Sequence, residues 1–350
     1  MEKVSECAKK AVNVVILIKL YLKSAAIWGD AMKEHSSMRR NPPYSLALFL
    51  LIILALFTVS CDSRKPQVDM EKVAPVASNA PAGNPKKVLR IAVAAMISPE
   101  TTRTYYEELL RLISRRMGRE AVFVQRRTYG EVNSLVKNRE VDVAFVCSGP
   151  YTEGHDEFGM EIIAVPVVHG EKVYHSYIIV PHDSPYSSFA DLRGHKFAFV
   201  DEGSNSGYLV PAYMLAKRGE KIPTYFSEFF FTHSHDNSIK AVADELADGA
   251  AVDSLIWEFF NTINPELTGR TKIIEKSPPY GIPPVVVPAG LDSELKKQLK
   301  HVFLSLHEDR EAAALMKKLQ IDRFAEGNDG MYNTVRAMNR WLKTRESEQR

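Results

Sequence analysis

Five short segments put chemically capable side chains at or near the ends of apolar, strand-like runs, most of them ahead of a helix-like one. The first, residues 201–208 (DEGSNSGY), follows KFAFV and opens a helical pattern. Small hydroxyl residues and glycines at such a turn bring backbone N–H groups to the positive end of a helix dipole, which makes an anion site. Ser204 and Ser206 add O–H donors and Asn205 an amide N–H. The same residue types also serve as ordinary helix N-caps. The glycine and lysine spacings of phosphate loops and dinucleotide-binding turns are absent.

The second segment, 128–130, carries Tyr129, and the third, 147–151, carries Cys147, Ser148 and Tyr151. In open α/β sheets ligands collect at the carboxyl ends of strands, where both tyrosines would point. The fourth, 232–236 (THSHD), looks like a fragment of a metal site, but two histidines and a carboxylate need further ligands and no histidine pair stands at helical spacing. Asp236 as a helix cap and His235 as a donor into a cleft is the favoured reading. The fifth ends a short strand with Asp253. No nucleophile is evident: Cys147 lacks a paired base and reads as a buried structural thiol, and GSNSG centres on an asparagine rather than the serine of a nucleophile elbow.

These segments need a scaffold, and the pattern supplies one. Strand-like runs recur at 88–95, 121–125, 141–147, 162–168, 174–180, 196–200, 227–231, 250–253, 271–275 and 284–287. Helical periodicity falls at 104–117, 130–138, 206–218, 236–248 and 254–261, and in three closing segments at 292–306, 308–319 and 328–344. Such alternation predicts an α/β protein with largely parallel sheets.

Ahead of this lies a different region. Residues 44–60 are uncharged and mostly apolar, Arg39 and Arg40 precede them, and Cys61 follows. A basic segment, an apolar run and a small residue before the cut describe a secretory signal over 38–60. A cysteine at the cut resembles a bacterial lipoprotein signal, with Cys61 as the lipid-bearing residue; a plain membrane anchor is the alternative. Residues 1–37 read as a start-site artefact or an extended leader. The proline-rich stretch that follows, within 61–87, reads as a disordered tether. The 350-residue chain has a formal charge of +2, but residues 1–60 hold eight Lys/Arg and four Asp/Glu, so residues 61–350 carry 37 basic and 39 acidic side chains. The net −2 removes the nucleic-acid reading that a basic chain invites. Three cysteines exclude a disulfide framework.

Taken in order, SNSGYLVPAYML, HSHDNSIKAVADELADGAAVDSLIWEFF and KSPPYGIPPVVVP resemble the phosphate/phosphite/phosphonate-binding proteins of ABC transporters, over about 88–345. The resemblance implies an α/β, two-lobed type II periplasmic-binding-protein fold, two mixed sheets with a ligand cleft between lobes. It puts hinge crossings near 176–181 and 283–288, lobe one at 88–176 plus 288–345, and lobe two at 177–287. It carries ligand roles onto Tyr129, Ser148, Tyr151, Ser204, Asn205, Ser206, His235 and Asp253, with Asn205 standing where the family usually has threonine. It implies no catalysis, cofactor or metal. The expected protein is a monomer on the periplasmic side of a bacterial membrane, lipid-anchored through Cys61, that passes phosphate, phosphite or a small phosphonate to a permease. Residues 278–282 (PPYGI) lack a carboxylate that could hold a ligand amine, which counts against aminoethylphosphonate. A sensor for a membrane signalling receptor, and less so a metal-dependent hydrolase built on His233, His235 and Asp236, are the rival readings.

Overall fold

The structure, a computed structural model, describes residues 88–348. The leader, Cys61 and the tether lie outside the described residues. Strand β1 (Val88–Val93) leads to helix α1 (Pro99–Arg116), then β2 (Glu120–Gln125), α2 (Tyr129–Lys137), β3 (Val143–Phe145), α3 (Ser148–Phe158) and β4 (Glu161–Val167). The chain crosses over through β5 (Val173–Tyr174) to β6 (Ser176–Pro181), β7 (Lys196–Phe199) and a π-helical turn (Asn205–Leu209) that continues as α4 (Val210–Lys217). Next come α5 (Ile222–Tyr225), β8 (Glu228–Phe231), α6 (His235–Ala243), β9 (Gly249–Asp253), α7 (Ser254–Ile263), α8 (Pro265–Gly269) and β10 (Thr271–Lys276). It returns through β11 (Tyr280–Gly281) to β12 (Val285–Val287), α9 (Ser293–Ser305), α10 (Arg310–Lys318), β13 (Arg323–Ala325) and α11 (Asn333–Glu348).

Two sheets result, one per lobe. The first has strand order β13-β4-β12-β3-β1-β2 and the second β10-β6-β9-β7-β8. Both are mixed. β1 runs parallel to β2 and β3, and β7 to β8 and β9, whereas β12, β13, β6 and β10 pair antiparallel. The largely parallel expectation therefore holds only for the half of each sheet that feeds helices. Side chains of β1 alternate between two cores. Leu89, Ile91 and Val93 pack with Leu109, Ile113 and Phe303, and Ala92 packs with Val132, Val136 and Val146. In the second sheet Ile179 and Val252 share one core with Val242 and Phe259, and Ile178 shares the other with Phe197, Phe199 and Phe226.

The crossings differ from the expected ones. Residues 176–181 form a strand of the second sheet, and Val285–Val287 forms a strand of the first, paired with β3 and β4. The connections are instead the segments around β5 and β11, which pair antiparallel as a two-stranded ribbon. Both misassigned stretches are apolar because they run through sheet interiors. Helix α11 does not stay with the first lobe: it packs on α3 and also on α4 of the second, with Trp341 edge-on to Tyr213.

The parallel strands end at one side of each sheet, and each is followed by a helix start. α1, α2 and α3 follow β1, β2 and β3; the π turn, α6 and α7 follow β7, β8 and β9. The two sets face each other. The His235 N–H donates to Met96 O at 3.0 Å, and a methyl on Gly149 would lie 2.3 Å from Gly203 O. Glycine is required at 149 because the two lobes touch there. Gly149→Ala is expected to prop the lobes apart and weaken binding between them, with little loss of melting temperature; calorimetry beside thermal unfolding checks this.

Candidate functional site

Where the helix starts meet, several buried polar atoms have no hydrogen-bond partner among the described residues. They include Tyr129 Oη of the first lobe, and Asn205 Oδ1, Ser206 Oγ and His235 Nε2 of the second. Tyr129 is 1% exposed and the other three are 0%. A buried polar group without a partner costs about 1–3 kcal/mol, and native interiors hold few of them. Four around one junction of helix N-termini mark a place built for something else to bind.

Each is held in a defined way. His235 begins α6, and its Nδ1 accepts the Asp253 N–H at 3.0 Å. Burial pushes the imidazole down to about 3, so the ring is neutral at physiological pH. With Nδ1 accepting, the proton sits on Nε2, which is a donor. Tyr129 starts α2 behind a capping box of Thr128 and Glu131. Burial, with Cys147 and Asp201 nearby, holds its hydroxyl well above the ordinary tyrosine range, so it too is a neutral donor. Ser206 is fixed through its carbonyl, which accepts the Ser176 hydroxyl at 2.6 Å. Asn205 donates its amide N–H to Tyr174 Oη at 2.9 Å. The expected inward N–H is thus spent on Tyr174, and the free atom is an acceptor. A half-turn of the amide exchanges the roles: Tyr174 O–H then donates to Oδ1 and the N–H faces inward.

Asp253 adds the one carboxyl of this group. It caps α7, accepting the Leu255 N–H at 2.8 Å, and is 1% exposed. Burial pushes it up to about 7, against the opposing N–H groups of Leu255 and Ile256. Near neutral pH it is therefore divided between acid and carboxylate. No lysine or arginine belongs to the cluster, so positive potential comes from helix dipoles and N–H groups alone.

Three expected residues sit differently. Ser204 accepts the Gly207 N–H at 3.0 Å, the N-cap role its residue type also suits. Ser148 donates to Gly281 O at 2.6 Å, tying α3 to the crossing ribbon. Tyr151 donates to Asp329 at 2.8 Å and stacks on Tyr332, so its hydroxyl is committed away from the orphaned atoms. Conversely, Tyr174 and Cys147, whose Sγ lies 3.9 Å from Tyr174 Oη, line this place without having been read as site residues. Burial pushes the Cys147 thiol up to about 11, which leaves it an inert neighbour.

Comparisons with known proteins cover the stretch of chain that holds these residues. A family described as ABC transporter, phosphonate, periplasmic substrate-binding protein matches residues 91–332. The chain belongs to this family. It is 25% identical over 289 residues to a phosphate-import protein PhnD of Mycolicibacterium smegmatis, covering 79% of this chain and 84% of the relative. It is also 25% identical over 184 residues to a probable ABC transporter phosphite binding protein PhnD1 of Prochlorococcus marinus, covering 49% of this chain and 62% of that protein. Among solved structures, a binding protein component of an ABC phosphonate transporter from Pseudomonas aeruginosa superposes with a TM-score of 0.70 at 25% identity, over 74% of this chain and 87% of that one. The Prochlorococcus marinus PhnD1 in complex with methylphosphonate gives 0.67 at 20% identity, over 73% and 98%, a likeness of fold.

Family members are extracytoplasmic substrate-binding components, not enzymes, and the metal-hydrolase reading falls away. The geometry accounts for the residues that suggested it: His235 binds Asp253 N–H and Asp236 binds the start of α1. Among the described residues no group of three or more His, Cys, Asp or Glu could hold a metal ion.

Proposed function

We propose that this protein captures a small phosphorus oxyanion, meaning phosphate, phosphite or a short alkylphosphonate, between its lobes and hands it to an ABC permease. The observation that carries this reading is the set of orphaned atoms on both lobes: Tyr129 Oη, Ser206 Oγ and His235 Nε2 as donors, and the Asn205 amide. A tetrahedral oxyanion has enough lone pairs for all of them, and the converging helix starts favour its charge. Each hydrogen bond to the anion contributes about 1.5–3 kcal/mol. The ionised part of Asp253 accepts a hydrogen bond from the O–H of a hydrogen-bearing ligand and repels a fully ionised one, which favours protonated phosphorus anions over sulfate.

Beside Asp253 lies a cavity of about 70 Å³ bordered by Met96, Tyr106 and Phe145 of the first lobe and Leu255, Ile256 and Phe259 of the second. Its volume corresponds to about two water-sized groups, and its walls are mostly apolar. That suits hydrogen, methyl or ethyl on phosphorus. It suits an ammonium poorly, because Asp253 is only half ionised near neutrality. Outside the described residues, Cys61 would carry lipid and 61–87 would act as a tether; Cys61→Ser releasing the protein from membranes tests this. The folded protein is proposed to act as a monomer.

Calorimetry with phosphate, phosphite, methylphosphonate, aminoethylphosphonate and sulfate tests the ligand. Above pH 7, where Asp253 is ionised, binding is expected for hydrogen-bearing phosphorus anions and not for sulfate; silence from every phosphorus anion rejects the reading. Tyr129→Phe removes only the orphaned hydroxyl. It is expected to weaken the bound ligand about tenfold while leaving the melting temperature equal or higher.

A further inference from the structure

Two aspartates of the second lobe end on helices of the first. Asp236 lies in the first turn of α6, yet its carboxylate leaves that helix. Its Oδ1 accepts the Ser98 N–H at 2.8 Å and its Oδ2 the Thr101 hydroxyl at 3.4 Å, both at the start of α1. Ser98 gives α1 no side-chain cap of its own; its hydroxyl donates to Thr101 Oγ1. Asp236 therefore ties the entry of α1, through its N-cap N–H and a first-turn hydroxyl, across the cleft. Asp201 ties the start of α2, which has its own capping box, in a similar way: its Oδ2 accepts the Tyr129 N–H at 3.1 Å while its Oδ1 keeps the Gly203 N–H within its own lobe at 2.9 Å. Asp201 is 6% and Asp236 8% exposed, so both carboxylates are buried by the opposite lobe.

The placement is informative. Tyr129, whose N–H is held by Asp201, carries one orphaned hydroxyl, and His235, next to Asp236, carries the orphaned Nε2–H. We propose that Asp201 and Asp236 are positioning residues that latch the lobes shut and so bring Tyr129 and His235 onto one ligand. This rests on the reading that the ligand binds between the lobes. When the lobes part, both carboxylates and both helix starts regain water, so each latch contributes only the modest net worth of a charge-assisted hydrogen bond. That keeps opening and closing near balance, as capture and release require. The two latches lie on different helix starts but serve one movement, so loss of either frees both.

Amide hydrogen exchange on the ligand-free full chain tests this without any ligand. Asp236→Ala is expected to speed exchange of the Tyr129 amide, and Asp201→Ala that of the Ser98 amide, each about fivefold to tenfold, because opening exposes the distant latch as well. Asp236→Asn, which keeps an acceptor, falls between. Asp142→Ala removes a pairing with Arg90 inside the first lobe, so it lowers stability without changing either amide selectively. With a phosphorus oxyanion bound, the latch variants raise the dissociation rate about tenfold and leave the association rate within about twofold. Exchange altered only at each variant's own partner amide overturns the proposal, as does weakened binding through association alone. Failure of every phosphorus anion to bind would reject the ligand reading while the exchange result still decides the latch.

Discussion

Asp253→Asn is expected to stabilise the ligand-free protein at pH 8 by about 4 kcal/mol, or roughly 5–10 °C in melting temperature, while flattening the pH dependence of ligand binding. Asp253 is a buried acid raised to about 7 from an ordinary value of 3.8. Below pH 4 folded and unfolded chains both hold its proton, and the group contributes no pH dependence. Between about 4 and 7 the unfolded chain loses the proton while the folded one keeps it, so stability falls as pH rises. Above 7 the penalty is complete and constant. Asparagine is a good N-cap, so the hydrogen bond from Leu255 survives and the charge penalty goes. For a fully ionised ligand, wild-type affinity falls about tenfold per pH unit above 7, because Asp253 must be protonated beside the anion; the variant loses that slope. Thermal unfolding and calorimetry from pH 5 to pH 9 check both. A stability difference that does not grow between pH 5 and pH 7 contradicts the role given to this carboxyl.

That a protein keeps a costly acid there is the usual exchange of stability for function. It also marks where sequence reasoning reaches its limit. The turns at 128–130, 147–151, 201–208 and 232–236 were legible because helix starts draw on a small set of residue types, and the strands before them are apolar runs. The convergence of these turns on one cleft was legible only through the resemblance. Tyr174 was not, because its significance is a contact with Asn205 made across the fold. Nor was the trans-lobe role of Asp236: a first-turn aspartate looks like a cap for its own helix, and nothing local says that its acceptors serve Ser98, 138 residues away. Tyr151 misled for the converse reason, since Asp329, which takes its hydroxyl, lies 178 residues on. The resemblance put the hinges near 176–181 and 283–288, and the strands in those stretches belong to the two sheets. The real crossings are two-residue strands, too short to leave a periodic trace, and β13 at three residues is equally silent.

His235→Asn separates binding from folding at a fully buried donor. An asparagine Oδ1 can take over the role of Nδ1 and accept the Asp253 N–H, but nothing replaces the Nε2–H beyond it. Affinity for the phosphorus oxyanion is expected to fall about 30-fold, the worth of a hydrogen bond to an anion. His235→Gln, which reaches the Nε2 position with an amide N–H, recovers part of it. The histidine also carries a pH signature. Burial depresses it from 6.5 to about 3, so the folded chain resists a proton that the unfolded chain accepts. The stability present above pH 6.5 is therefore lost as pH falls toward 3, by about 5 kcal/mol in all, and His235→Asn is expected to unfold at lower pH than the wild type. The same depression means that His235 gives binding no step at the ordinary histidine value; the protein's step is that of Asp253 near 7, beside the step made by the ligand's own second ionisation. A binding profile that keeps its step in Asp253→Asn and loses it in His235→Asn would reverse these two assignments. It would make the imidazole a charged partner of the anion rather than a neutral donor.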